Sequence, residues 1–305
     1  MWGYLAFEDY QEELLNELQF HKIKETARFG RLFLLDRKLD LIWAQLRLEN
    51  IQKLNFKSIK EATSELKNKN LYWGCDAFQN HRRNQLIRES LKVRDLKPYN
   101  FIQKLPSRDY GFWYLYDEST LFYSDKTGYP YPITEIKITE DKAPPSRAYM
   151  KLWELFTLHL EPPKPHEAVI DLGACPGGWT WVLLKLNCQV LSIDKAELDK
   201  EIRGHQFLKK DAFKLRPDEI KDPQWLFSDI ICEPSKLLEL VERWLDHHPN
   251  IKMVCTIKYK GKTDFHTTEK FKKIPGSRLI HLNCNKHEVT WLFPGVDSEL
   301  SLRYP

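Results

Sequence analysis

No Cys-x-x-Cys pair occurs in the 305 residues. The six cysteines, Cys75, Cys175, Cys188, Cys232, Cys255 and Cys284, stand apart, with no histidine at zinc-finger spacing. This argues against a structural zinc site and a disulfide framework, and for a reducing compartment. No apolar run approaches the ~18 residues that a membrane helix needs, and there is no internal repeat or low-complexity tract. The first fourteen residues lack a basic segment and meet acids within ten positions, so no secretory signal is expected. A large excess of one charge is also lacking. Lys and Arg number 47 and Asp and Glu 43, a net of +4, which permits a nucleic-acid partner without demanding one. The remainder is ordinary globular material, 42% hydrophobic and 30% charged. Its length suits two domains of about 100–150 residues, each able to bury a core. The expectation is a cytoplasmic protein with no membrane segment.

The densest punctuation is Asp141-Lys142-Ala143-Pro144-Pro145-Ser146-Arg147. A Pro-Pro pair opposes helix before it and favours an extended connection, which predicts domains over 1–140 and 141–305. The first mixes strand and helix patterns, an α+β signature. Gly3 to Phe7 reads as a strand. Asp9 with Glu12 reads as a capping box before a helix striped by Leu14, Leu15 and Leu18. Arg28 to Leu35 reads as one strand. Ser58 with Glu61 is a second capping box, with Ala62 and Leu66 on one face behind it. Phe112 to Tyr116 and Leu121 to Tyr123, flanking residues 117–120, predict a hairpin.

The second domain alternates strand and helix. Lys151 to Leu160, Trp179 to Leu186 and Ser235 to Asp246 carry helical stripes. Ala168 to Leu172, Gln189 to Ile193, Gln206 to Leu208, Trp225 to Ser228, Met253 to Ile257, Leu279 to Leu282 and Val289 to Phe293 read as strands. Such alternation predicts a Rossmann-like, mostly parallel α/β sheet. Only residues 283–288 separate the last two strands, so they form an antiparallel hairpin at its end.

Asp171-Leu172-Gly173-Ala174-Cys175-Pro176-Gly177-Gly178-Trp179 joins the first strand of this domain to its helix. Its glycines let backbone approach a ligand at the carboxyl end of a strand, but the spacing is not the G-x-G-x-x-G of a dinucleotide site. Asp194 ends the second strand about 20 residues on, where an acid accepts hydrogen bonds from ribose hydroxyls. Asp211, after the third strand, is placed to face an adenine amino group. These features suit an adenosine cofactor without phosphates.

The 171–180 segment resembles the first motif of the FtsJ-type, S-adenosylmethionine-dependent RNA ribose 2′-O-methyltransferases. The stretches at 145–152, 228–230, 256–258 and 287–292 fit the same family, and the whole is similar to its RlmM branch over residues 140–295. That branch methylates a cytidine ribose of large-subunit ribosomal RNA. The resemblance implies S-adenosylmethionine bound by Asp171, Gly173, Cys175, Pro176, Gly177, Gly178, Trp179, Asp194, Asp211 and Asp229. It also implies a Lys-Asp-Lys-Glu tetrad at Lys151, Asp229, Lys258 and Glu288, and no metal. For residues 1–140 it implies a shortened ferredoxin-like and THUMP-like RNA-binding domain. The chain departs from the branch at Ala148, where a serine is usual.

Topology supports the tetrad independently of the resemblance. Asp229 and Lys258 end the fourth and fifth strands, and Glu288 opens the antiparallel last strand, so all three fall at the ligand-binding edge. A ribose hydroxyl is a very weak acid and must lose its proton as it attacks a methyl group. A lysine serves as base only when neutral, and its ordinary pKa is about 10.4. A second cation and partial burial favour the neutral form. Lys258 is assigned as the base, Lys151 as the neighbouring cation, and Asp229 and Glu288 as the groups that orient them.

Other chemistries fit less well. Adenine amino methylation wants a Pro-Pro-Tyr type segment where this chain has Asp229-Ile230-Ile231-Cys232, and the settings of Cys232 and Cys255 reverse the Pro-Cys or Thr-Cys order of a cytosine C5 nucleophile. A non-catalytic RNA-binding protein of the same fold, an O-methyltransferase on a non-RNA substrate, and a nicotinamide dehydrogenase are the rivals. RNA contacts are expected from His81, Arg82, Arg83, Arg88, Lys92, Arg94 and Lys97. Phe112, Trp113, Tyr114, Tyr116, Phe122 and Tyr123 offer base-stacking rings, of which strand alternation turns half inward. The expected substrate is ribosomal RNA with its target ribose exposed, in a loop or an assembly intermediate.

Overall fold

Gly30 breaks the single strand expected from Arg28 to Leu35. Its φ of +61° is left-handed, and a side chain there would strike the Phe78 ring, so the chain turns back at this point. The computed structural model describes residues 1–103, 105, 108–132, 134 and 136–296, which form two compact units, 1–139 and 140–296. Residues 297–305 of the expected second domain lie outside the described residues.

The first unit opens with β1 (Trp2–Ala6), α1 (Gln11–Phe20), β2 (Ala27–Phe29), β3 (Leu32–Leu35) and β4 (Ala44–Leu48). They make an antiparallel sheet in the order β2-β3-β1-β4. With β3 between β1 and β2, this is the split β-α-β half of a ferredoxin-like arrangement, and the charged loop 36–43 stands where a second helix would run. The capping box expected at Asp9 and Glu12 does not form. Glu8–Tyr10 is a 3₁₀ turn, so Tyr10 occupies the cap position and no side chain caps α1.

The same unit continues with β5 (Gln52–Asn55), α2 (Ile59–Lys67), β6 (Trp73–Ala77), α3 (His81–Leu91), β7 (Gly111–Leu115) and β8 (Thr120–Ser124). Here the cap at Ser58 does form, its hydroxyl accepting the Glu61 N–H at 3.2 Å, while the Glu61 carboxylate accepts the Lys57 N–H at 2.9 Å. The second sheet runs β5-β8-β7-β6, with β6 and β7 parallel. One face packs Trp73, Trp113, Leu115 and Leu121 on Leu66 and Ile87 of the helices. The other meets the β2–β3 turn, where Arg31 pairs with Asp76 and its N–H donates to the Tyr114 hydroxyl at 3.2 Å. Both faces are therefore covered. That is why Phe112, Trp113, Tyr114, Phe122 and Tyr123 are all buried rather than half of them; of the six expected stacking rings, Tyr116 alone is partly exposed.

The second unit runs α4 (Tyr149–Glu154), β9 (Ala168–Leu172), α5 (Gly178–Lys185), β10 (Gln189–Asp194), β11 (Gln206–Lys209), β12 (Trp225–Ser228), α6 (Pro234–His247), β13 (Lys252–Lys258), α7 (Phe265–Lys272), β14 (Arg278–Ile280) and β15 (Glu288–Phe293). One turn of π-helix, Leu155–His159, extends α4. The sheet order is β11-β10-β9-β12-β13-β15-β14, and only β15 runs against the others. Its parallel strands are apolar runs because helices cover both faces. Strand order reverses between β9 and β12, which opens a crevice at their carboxyl ends.

Ser58→Ala is expected to cost about 1 kcal/mol of stability, and Asp9→Ala less than about 0.5 kcal/mol. Urea unfolding midpoints check this, and equal costs would contradict the assignment of caps.

Candidate active site

β9 delivers the chain to Gly173 at the crevice. There φ is +73° and any side chain would collide with Ile230, so only glycine fits. Behind the turn Asp171 is buried, with its carboxylate accepting the Thr180 hydroxyl at 2.7 Å, and that hydroxyl lies 2.8 Å from Ser192 Oγ. Burial pushes the Asp171 carboxyl up to about 7, against the Thr180 hydrogen bond. Trp179 is buried and its indole N–H donates to the Ala148 carbonyl at 2.9 Å. Gly177, at φ +116°, leads into α5, and Gly178 packs against Ser146 and the Tyr149 backbone. Asp171, Gly177, Gly178 and Trp179 thus shape the turn and bind α5 to the start of α4.

Asp194, at the end of β10, accepts the Cys175 N–H at 3.0 Å and the Ala196 N–H at 2.9 Å. Cys175 is exposed, its thiol 3.4 Å from the Glu197 carbonyl, and the Cys175–Pro176 peptide is cis. A carboxylate fastened to this turn repels a pyrophosphate but accepts hydroxyl groups. Asp211 accepts the Phe213 N–H at 3.0 Å and pairs with Lys195 at 3.0 Å, and the Lys195 bond holds its carboxyl below the usual range. Gly173, Asp194, Asp211, Phe213 and Ile230 line one end of an open cleft of about 1370 Å³. This end suits an adenosine with free ribose hydroxyls. Sequence reading passed over Lys195 and the Phe213 ring, over which the Lys236 ammonium lies at 4.1 Å.

Lys151, Lys258 and Glu288 line the other end. β12 supplies Asp229 just past its last residue and β13 supplies Lys258 at its own, while the β13–β15 register sets Glu288 opposite Lys258. Lys151 arrives from α4. Asp229 Oδ1 lies 2.8 Å from Lys151 Nζ and 3.1 Å from Lys258 Nζ. Lys151 Nζ is 2.7 Å from Glu288 Oε1, and Lys258 Nζ donates to the Asp229 main-chain oxygen at 2.6 Å. Burial works against the charge on Lys151, but Asp229 and Glu288 outweigh it and raise its pKa above the ordinary lysine value. The result is one fixed cation and a second lysine at rest on the same carboxylate, both facing the cleft.

The basic stretch of the first unit is partly committed elsewhere. Arg88 donates to Asp95 at 3.0 Å and to the Cys75 sulfur at 3.2 Å, and Arg83 lies over the Phe56 ring at 5.2 Å. Among the described residues no group of three His, Cys, Asp or Glu side chains is arranged to hold a metal, and no helix is long and apolar enough to cross a membrane.

The position of Asp171 makes a pH prediction. A carboxyl whose pKa rises from 3.8 to about 7 on folding binds more protons folded than unfolded, so it costs stability increasingly as pH rises between those values. Asp171→Asn removes that cost. The difference in melting temperature, variant minus wild type, is expected to grow from pH 4 to 7 and then level off. A flat difference would contradict it.

Residues 144–257 match the sequence profile of the FtsJ-like methyltransferases. The ribosomal RNA large subunit methyltransferase M of Laribacter hongkongensis is 34% identical over 127 residues, 39% of this chain and 35% of that protein. The protein of the same name from Shewanella pealeana is 34% identical over 180 residues, 52% of this chain and 49% of that protein. The chain therefore spans half or less of these curated relatives' length. Residues 144–257, which include the turn after β9, are thus the part of the chain that is similar to the FtsJ-like methyltransferases.

Proposed function

We propose that this chain is an S-adenosylmethionine-dependent RNA methyltransferase that modifies a ribose 2′-hydroxyl, on a cytidine of large-subunit ribosomal RNA, in the cytoplasm. The observation that carries the reading is the sharing of Asp229 Oδ1 between Lys151 and Lys258 beside the Gly173 turn. Asp194 and Asp211 would hold the ribose and adenine of the cofactor, with Phe213 against the adenine. S-adenosylmethionine, when bound, supplies an electrophilic methyl group.

The protein's own groups supply the rest. Lys258 in its neutral form takes the proton of the 2′-hydroxyl at Nζ. Lys151, kept charged by two carboxylates, stabilises the oxygen as it becomes negative. Asp229 holds both nitrogens in place, and Glu288 holds Lys151. Arg147, Lys236, Lys260 and Lys286 on the cleft wall fit an RNA backbone, where phosphate contacts give affinity without sequence choice. The first unit would present RNA whose target ribose is exposed, as in a loop or an assembly intermediate.

Incubation with heavy-methyl S-adenosylmethionine and RNA from cells lacking the protein, followed by digestion to nucleosides and mass spectrometry, tests the reading. Labelled 2′-O-methylcytidine is expected, falling about 10²–10⁴-fold in rate with Lys258→Ala. Label on a base, or an unaffected Lys258→Ala variant, would overturn it.

A further inference from the structure

Lys151 ties α4 to Glu288 at the start of β15, and a second residue of the helix ties it to the turn before that strand. Glu154, one turn further along the helix, is buried, and its carboxylate accepts three hydrogen bonds from a single turn. Oε1 accepts the Asn283 N–H at 2.7 Å and the Asn283 side-chain amide at 3.0 Å, and Oε2 accepts the Cys284 N–H at 3.1 Å. A buried carboxylate is unfavourable unless donors satisfy it, and these donors are what keep it there. Burial pushes its carboxyl up, and the hydrogen bonds from Asn283 and Cys284 oppose that.

The segment so held forms a wall of the cleft through Cys284, Lys286, His287 and Glu288. At its far end the Tyr259 N–H donates to the His287 carbonyl at 3.1 Å, and Glu288 pairs with Lys151. Successive turns of α4 thus fasten the wall at both ends. Lys151 does so from inside the cleft, and Glu154 from the buried side.

We propose that Glu154 is a positioning residue for methyl transfer: it fixes the 283–288 wall, and through it the Lys151–Glu288 pair and the cleft-lining side chains of Lys286 and His287. The proposal rests on the RNA-methyltransferase reading above.

Glu154→Gln in the full chain tests it. The amide keeps the size and one acceptor but turns an NH₂ toward an N–H donor. The expected result is a kcat about 10- to 100-fold lower and a raised KM for RNA. S-adenosylhomocysteine affinity should be unchanged, and amide exchange at residues 283–287 faster. A purely structural role would lower the melting temperature and leave kcat and KM of the folded protein as in wild type, which would overturn the proposal. If the glutamine variant does not fold, Glu154→Asp, which keeps the charge on a shorter arm, is expected to show the same split in weaker form. Wild-type kinetics in that variant would also overturn the proposal. Wild-type protein that binds S-adenosylhomocysteine but methylates no RNA would instead overturn the proposed function, and with it this role. An active wild type with an unaffected Glu154→Gln variant would overturn the role of Glu154 alone.

Discussion

One carboxylate oxygen, Oδ1 of Asp229, lies within 3.1 Å of two lysine nitrogens, and much of the second unit exists to keep it there. Four ionisable side chains this close in a partly buried site, Glu288 included, hold together only if each is placed by something rigid, because desolvation would otherwise favour expelling them. The placement comes from four different elements. β12 and β13 end side by side, β15 begins opposite the end of β13, and α4 brings Lys151 across from outside the sheet. The antiparallel direction of β15 is the constraint that matters most here. A parallel strand in its place would carry Glu288 to the far edge.

The turn after β9 answers a second constraint, which is to bring backbone close to a ligand without offering it a phosphate site. Gly173 supplies the close approach, and Asp194 binds a turn N–H that a phosphate would need. Asp171 stiffens this arrangement from below through Thr180 and Ser192. The two ends of the cleft therefore divide the work. One end accepts hydroxyls and an amine, and the other manages a proton between two lysines.

Much of this was legible in the sequence because a parallel α/β sheet writes its strands as short apolar runs and ends them at polar residues. Asp194, Asp229 and Lys258 could be placed at the crevice from that pattern alone. Local signals that depend on one residue's exact geometry were less readable. Asp9 and Glu12 have the spacing of a capping box, yet the helix starts too late to use it, and Gly30 turns the chain inside a stretch, 28–35, that reads as one strand. The aromatic strands of the first unit looked half-exposed because alternation cannot reveal that the β2–β3 turn covers the second face. Glu154 was missed for a plainer reason. Its partners lie about 130 residues away and two of the three are backbone N–H groups, which leave no mark in a sequence. Its spacing of three from Lys151 was the available clue.

The most direct test of the account is a double-mutant cycle on the rate of methyl transfer to RNA under single-turnover conditions, with Asp229→Asn, Lys258→Ala and the two combined. If Asp229 acts by holding Lys258 and Lys151 in register, removing Lys258 leaves it little more to do at that lysine, and the double variant is expected to be much less impaired than the product of the single losses. Losses that simply multiply would mean that Asp229 and Lys258 act independently, and would contradict the shared-carboxylate account.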